Sequence, residues 1–174
     1  FAGTISTVAA QEPDAQVERS GFSVSRNSVS EAKGDIVDWV ARQIAEYTNG
    51  DLAEIKRAQP YGNLQDEAKA EIDNGTRPDI TVDVSNLDQY DVIFIGYPIW
   101  WDEAPAMIAT FLAENDLSGK VVAPFCTSSC SPITNSLHVF RELASGATVV
   151  DGLTANSESA VRPWVDQVLS RAGK

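Results

Sequence analysis

The sequence predicts an α/β domain built on a doubly wound, five-stranded parallel sheet with helices on both faces. Helical and strand periods alternate along the chain, the order that parallel strands and their crossover helices require. Two runs, "YDVIFIGYP" (90–98) and "KVVAPFCTS" (120–128), are almost continuously apolar, as strands buried on both faces are. The length, 174 residues, suits one domain and is enough to bury a core.

Taken in order, "TISTVAAQE" (4–12) is expected as a short helix stopped by Pro13, and "AQVERSGFSVS" (15–25) as an extended segment. From about Ser30 to Thr48, Ile36, Val40, Ile44 and Tyr47 recur at spacings of three and four, which predicts a helix ended by Asn49-Gly50. "DLAEIK" (51–56) reads as a strand, "NLQDEAKAEIDNG" (63–75) as a polar helix and "RPDITV" (77–82) as a loop. After the central strand 90–98 come a helix in "APAMIATFLAEND", the buried strand at 120–128, a helix in "SLHVFRELA", an edge strand in "ATVVDGL" and a last helix in "SAVRPWVDQVLSRA".

Composition narrows the function. A formal net charge of −12 disfavours nucleic acid and anionic membrane as partners, and leaves basic proteins or small ligands. No apolar run approaches the roughly 20 residues of a membrane-spanning helix. Two cysteines, Cys126 and Cys130, are too few for a disulfide framework, so a reduced, cytoplasmic setting is expected. The chain starts at Phe1, which is compatible with a processed or exported form.

In sheets of this kind, ligands sit beyond the carboxyl ends of the strands, where the strand order reverses. Trp100 and Trp101 lie at one such end, and the loop "CTSSCSPITNS" (126–136) follows the next strand. Indole faces and hydroxyl-rich loops suit a flat heteroaromatic ring, with a flavin the natural candidate.

From about Ala41 onward the chain resembles the short-chain flavodoxin family, in "DLAEIKRAQPY", "NGTRPDI", "LDQYDVIFIGYPIWW", "LSGKVVAPFCTS" and "GATVVDGL…VRPWV". The "GYPIWW" loop and "LSGKVVAPFCT" are the most specific parts. The resemblance implies the flavodoxin-like fold and FMN as cofactor. By the same resemblance, Tyr97, Pro98, Ile99, Trp100 and Trp101 frame the isoalloxazine, and Thr127, Ser128, Ser129 and Cys130 meet its other side.

The sequence departs from that family in three places. The Ser/Thr-x-Thr-Gly-Asn-Thr phosphate loop and the strand before it are not recognisable. Residues 1–40 look instead like the family's C-terminal strand and helix, and "DAQVERSGFSVS…DIVDWV" can be laid over "GATVVDGLTANS…AVRPWV". The expected organisation is therefore a segment 1–40 followed by a domain 41–174 without its usual first strand, the whole forming one compact unit. Residues 15–25 are the economical candidate for the vacant central slot. Ser25–Ser28 then falls where the phosphate loop would be, although an ordinary polar loop is the plainer account; a swapped homodimer is the other way to fill the slot. Second, Asp102 and Glu103 stand where glycine and a small residue are usual, and a carboxylate beside the ring predicts a low flavin potential. Third, "SSCS" replaces a glycine-rich turn.

Other residues read as structural. Cys126 and Cys130 are spaced too widely for a Cys-x-x-Cys redox pair, His138 has no recognisable nucleophile partner, and Trp39 and Trp164 are expected as helix anchors on the sheet. The acids at 66, 67, 71 and 73 are expected to form a solvated helix face. Two functions follow: an FMN-binding electron carrier or small flavin-dependent reductase, working with a redox partner protein or small-molecule acceptor, or a degenerate domain without FMN that binds a partner through its tryptophan loop.

Overall fold

The computed structural model describes residues 3–9, 29–82, 87–127, 131–155 and 157–173. Among the described residues the sheet contains seven strands: β1 (Gly3–Ala9), β2 (Asp51–Arg57), β3 (Ile80–Val82), β4 (Tyr90–Pro98), β5 (Val121–Thr127), β6 (Thr148–Val149) and β7 (Leu153–Thr154). The order is β3-β2-β1-β4-β5-β6, with β7 also paired to β5. All pairings are parallel except β2 with β3. The five parallel positions match the doubly wound sheet expected from the sequence, with β6 and β7 sharing the fifth.

Several local expectations are corrected. Residues 3–9 form a strand, where a helix was expected over 4–12; Thr4, Ile5, Thr7 and Val8 are β-branched and suit a pleated surface better than a helix turn. β1 lies between β2 and β4, with Ile5 opposite Asp51 on one side and Ile93 on the other. The central slot is thus filled by this chain's own residues 3–9, so neither residues 15–25 nor a swapped copy is needed to fill it. Residues 15–25 themselves lie outside the described residues. The boundary drawn at residue 40 falls inside helix α1 (Val29–Thr48). "RPDITV" is not wholly a loop, because Ile80–Val82 pairs antiparallel with Ile55–Arg57. The edge strand expected in "ATVVDGL" is divided in two.

The remaining helices are α2 (Leu64–Asn74), α3 (Ala106–Glu114), α4 (His138–Leu143) and α5 (Val161–Arg171). Helix α1 ends as its sequence asks: Asn49 takes a left-handed φ of 53°, and Gly50 N–H donates to Ala45 O at 2.9 Å. Helix α2 is closed at both ends. The Asn63 side chain accepts from Asp66 N–H, and Gly75, at φ 65°, ends the helix in the left-handed region.

Alternation along β4 divides the core into two layers. Val92 and Phe94 face α1 and α5, packing with Val37, Val40, Ala41, Ile44, Trp164 and Val168. Ile93, Ile95 and Tyr97 belong to the other layer, with Met107, Ile108, Phe111 and Phe140. Trp164 is the anchor expected of it: its ring meets Phe94 and Phe125 edge-on, and its Nε1–H donates to Asp151 O at 3.1 Å. Trp39 is partly buried against the same layer. Among the described residues no helix is long and apolar enough to cross a membrane.

Candidate functional site

The carboxyl ends of β4 and β5 lie side by side. Pro98 is opposite Thr127, and Ile99 N–H extends the ladder by donating to Thr127 O at 3.3 Å. The chain then reverses sharply. Trp100 N–H donates to Glu103 O at 2.8 Å and Glu103 N–H to Trp100 O at 2.9 Å, closing a two-residue loop. Its two inner residues, Trp101 (φ 48°) and Asp102 (φ 67°), are both left-handed, the signature of a type I′ turn. Such turns normally use Asn-Gly; Trp and Asp there are strained by about 1 kcal/mol or more each.

The turn presents Trp101, whose side chain is 45% exposed although the residue is large and apolar. The Lys69 ammonium stands 5.8 Å from its ring centroid. Trp100 is half-buried and meets the edge of Tyr61, with centroids 6.2 Å apart and planes at 71°.

Tyr61 belongs to a buried polar group that was not legible beforehand. The Glu71 carboxylate accepts from Tyr61 Oη at 2.6 Å, from Arg57 Nε at 3.2 Å and from Arg57 Nη2 at 3.1 Å. The guanidinium also lies over the Tyr61 ring, 4.4 Å from its centroid. Burial, reinforced by the bond to Glu71, pushes the Tyr61 phenol well above its ordinary range, so it serves as a donor. The expected solvated acidic face of α2 is corrected at this position: Asp66 and Asp73 are exposed, but Glu71 is buried. The helical period alone could have found it, since Glu71 lies three residues from buried Ala68 on the sheet-facing side.

The two acids of the turn bind across to the segment after β5. Asp102 Oδ2 accepts from Asn135 Nδ2 at 2.7 Å, and the Glu103 carboxylate pairs with His138 Nε2 at 2.7 and 2.9 Å. His138 Nδ1 is 3.5 Å from Glu142. The Glu103 bond raises the His138 pKa, with partial desolvation opposing it. No local pattern signals these partners, which lie 33 and 35 residues away from the turn.

The sequence-predicted site residues divide accordingly. Trp100, Trp101 and Thr127 come together at the strand ends, Thr127 being buried. Pro98 and Ile99 are buried in the same ladder and offer backbone there. The Tyr97 side chain is wholly buried, stacked on Phe140 and hydrogen-bonded to Ser136 Oγ at 2.9 Å. Burial raises its phenol far above the ordinary value, and it supports the strand end from below. Ser128, Ser129 and Cys130 lie outside the described residues, as do Ser25–Ser28, which precede α1. Cys126 is buried and its thiol is pushed up to about 12, so it supplies no nucleophile. Among the described residues no cluster of His, Cys, Asp and Glu could hold a metal ion.

The flavodoxin family profile matches residues 28–168. Among solved structures, a protein of Bacteroides eggerthii assigned as a flavoprotein aligns at 29% identity and a TM-score of 0.75, over 97% of this chain and 99% of that one. A second, from Bacteroides uniformis, aligns at 24% identity and TM-score 0.66, over 95% and 98%. A flavoprotein of Lactobacillus acidophilus, solved in complex with FMN, aligns at 19% and 0.65 over the whole of both chains; at this identity the likeness is one of fold. No curated protein matches the chain.

Proposed function

Because the chain belongs to the flavodoxin family, we propose that it binds FMN at the carboxyl ends of β4 and β5 and works as an electron carrier or small flavin-dependent reductase. The observation that carries this reading is the Trp100–Glu103 turn, which puts a half-exposed indole at a ligand end of the sheet. The residues present fit a flat ring. Trp101 offers an aromatic face, and the amides of Trp101 and Asp102 make no backbone hydrogen bond with other described residues. Tyr97 and Ser136 hold the floor rigid. When bound, FMN supplies the electron-accepting chemistry. The chain's own contribution is stacking, ring-edge hydrogen bonds and charge. A redox partner protein or a small-molecule acceptor would complete the traffic.

FMN titration followed by flavin fluorescence tests the reading, with quenching expected at micromolar concentration. The absence of quenching at high micromolar FMN would favour a domain that binds a partner without flavin, a reading supported by the unrecognisable phosphate loop. Charge gives a second expectation. His138 faces Glu103, whereas Asp102 is met by a neutral amide, so one uncompensated carboxylate stays on the turn. The bound flavin should then have a lower reduction potential than free FMN. Potentiometry checks this, and Asp102→Asn should raise the potential.

A further inference from the structure

We propose that Asn135 and His138 are positioning residues that hold the Trp101–Asp102 turn in its left-handed conformation from the segment following β5. The strained pair must be offset by other interactions. Its two backbone bonds supply part of that. Adjacent turn acids supply the rest by reaching separate partners, Asp102 to Asn135 and Glu103 to His138. Each pair is solvent-exposed and weak by itself, so the two act together and neither dominates.

The partners stand on a rigid platform, which is what positioning requires. Ile133, Ser136 and Leu137 are buried. Ile133 N–H donates to Thr154 Oγ1 at 3.0 Å, and Ser136 Oγ to Ile133 O at 2.8 Å. The Ser136 hydroxyl also meets Tyr97. Asn135 and His138 project from this fixed base, so their bonds transmit its position to the turn.

The His138 bond is charge-assisted while the imidazole is protonated. Its pKa is raised, so the assistance is complete below the ordinary histidine value and is lost as pH climbs through the raised one. The groups facing His138 are Glu103 on the turn and Glu142 on its own helix. Arg77, exposed, and Glu71, already paired, line the same cleft of about 200 Å³ from the end of α2. The two carboxylates in contact with the ring, Glu103 and Glu142, set the direction of the shift.

The test reads Trp101 first in the protein without flavin. Trp101 emission and acrylamide quenching are taken as the difference from Trp101→Phe, for wild type, Asn135→Ala, His138→Gln and the double variant. Expected are a more quenchable Trp101 in each variant, the largest change in the double, and a pH-dependent Trp101 signal that disappears in His138→Gln. Restoration of the wild-type signal by Asp102→Gly in the Asn135→Ala background is also expected, since glycine adopts the turn unaided. A Trp101 signal unchanged in the double variant, or a pH profile that survives His138→Gln, overturns the proposal. Its relevance to the flavin rests on the functional reading above: FMN affinity should fall about tenfold in the double variant, in which both side-chain bonds to the turn are altered. A shifted Trp101 in a protein that binds no FMN would uphold the positioning and overturn the flavin reading alone.

Discussion

Arg57→Ala is expected to cost about 3 kcal/mol of folding stability, towards the lower end of the range for breaking a buried ion pair. The reason lies in what is left behind. Glu71 would lose both guanidinium bonds and keep only the Tyr61 hydroxyl, while staying in an environment that exposes 9% of its side chain. Arg57 retains 21% exposure, which is why the upper end of the range is not reached. Tyr61 would also lose the cation over its ring, and Trp100 the fixed edge it rests on. Urea unfolding checks the magnitude, and the near-UV dichroism of Trp100 checks the coupling to the turn. Replacing both partners with apolar residues, Arg57→Met with Glu71→Leu, should recover more than half of the loss, because no charge then remains buried. A single-variant loss below about 1 kcal/mol, typical of an exposed pair, would show that water already screens the bridge.

Gly96→Ala should destabilise by about 2 kcal/mol through overpacking. Gly96 is paired with Phe125 across β4 and β5, and the Phe125 ring lies where a side chain would grow: a Cβ there would sit 2.3 Å from Cζ and 2.4 Å from Cε2. The ring cannot easily withdraw, being wholly buried and held edge-on by Trp164. The strand would have to shift, and the Trp100–Glu103 turn begins only four residues on. Thermal or urea unfolding measures the loss. Adding Phe125→Leu to Gly96→Ala should restore stability by vacating the contact. A double variant less stable than Gly96→Ala alone would mean that the clash is relieved elsewhere.

Where burial is symmetric, the fold is legible in the sequence. β4 and β5 announce themselves because both faces are covered, so nearly every residue is apolar, and α5 shows its apolar stripe around Trp164. The N-terminal strand Gly3–Ala9 is hard to recognise because it is short and mixes small polar residues with its β-branched ones, so it carries no long apolar run like those of β4 and β5. Its place between β2 and β4 depends on pairing partners some 45 and 90 residues away, which no local period encodes. The site shows the same division. The tryptophans and the strand ends were visible as composition at a predictable position. The Arg57–Tyr61–Glu71 group and the bonds of Asp102 and Glu103 were not, because each joins side chains from separate elements. The two acids stand out in the sequence as charges after the tryptophans, but their partners, Asn135 and His138, emerge only from the fold.

The sheet margins carry a last consequence. On one side the outermost strand is Ile80–Val82, three residues running against its neighbours; on the other, the outermost position is broken into Thr148–Val149 and Leu153–Thr154, with a short interruption between them. Among the described residues neither rim offers an uninterrupted row of amides and carbonyls on which an extended segment of another molecule could be templated. A sheet with such apolar central strands would otherwise be an aggregation hazard. Short, mismatched borders among the described residues work against such growth.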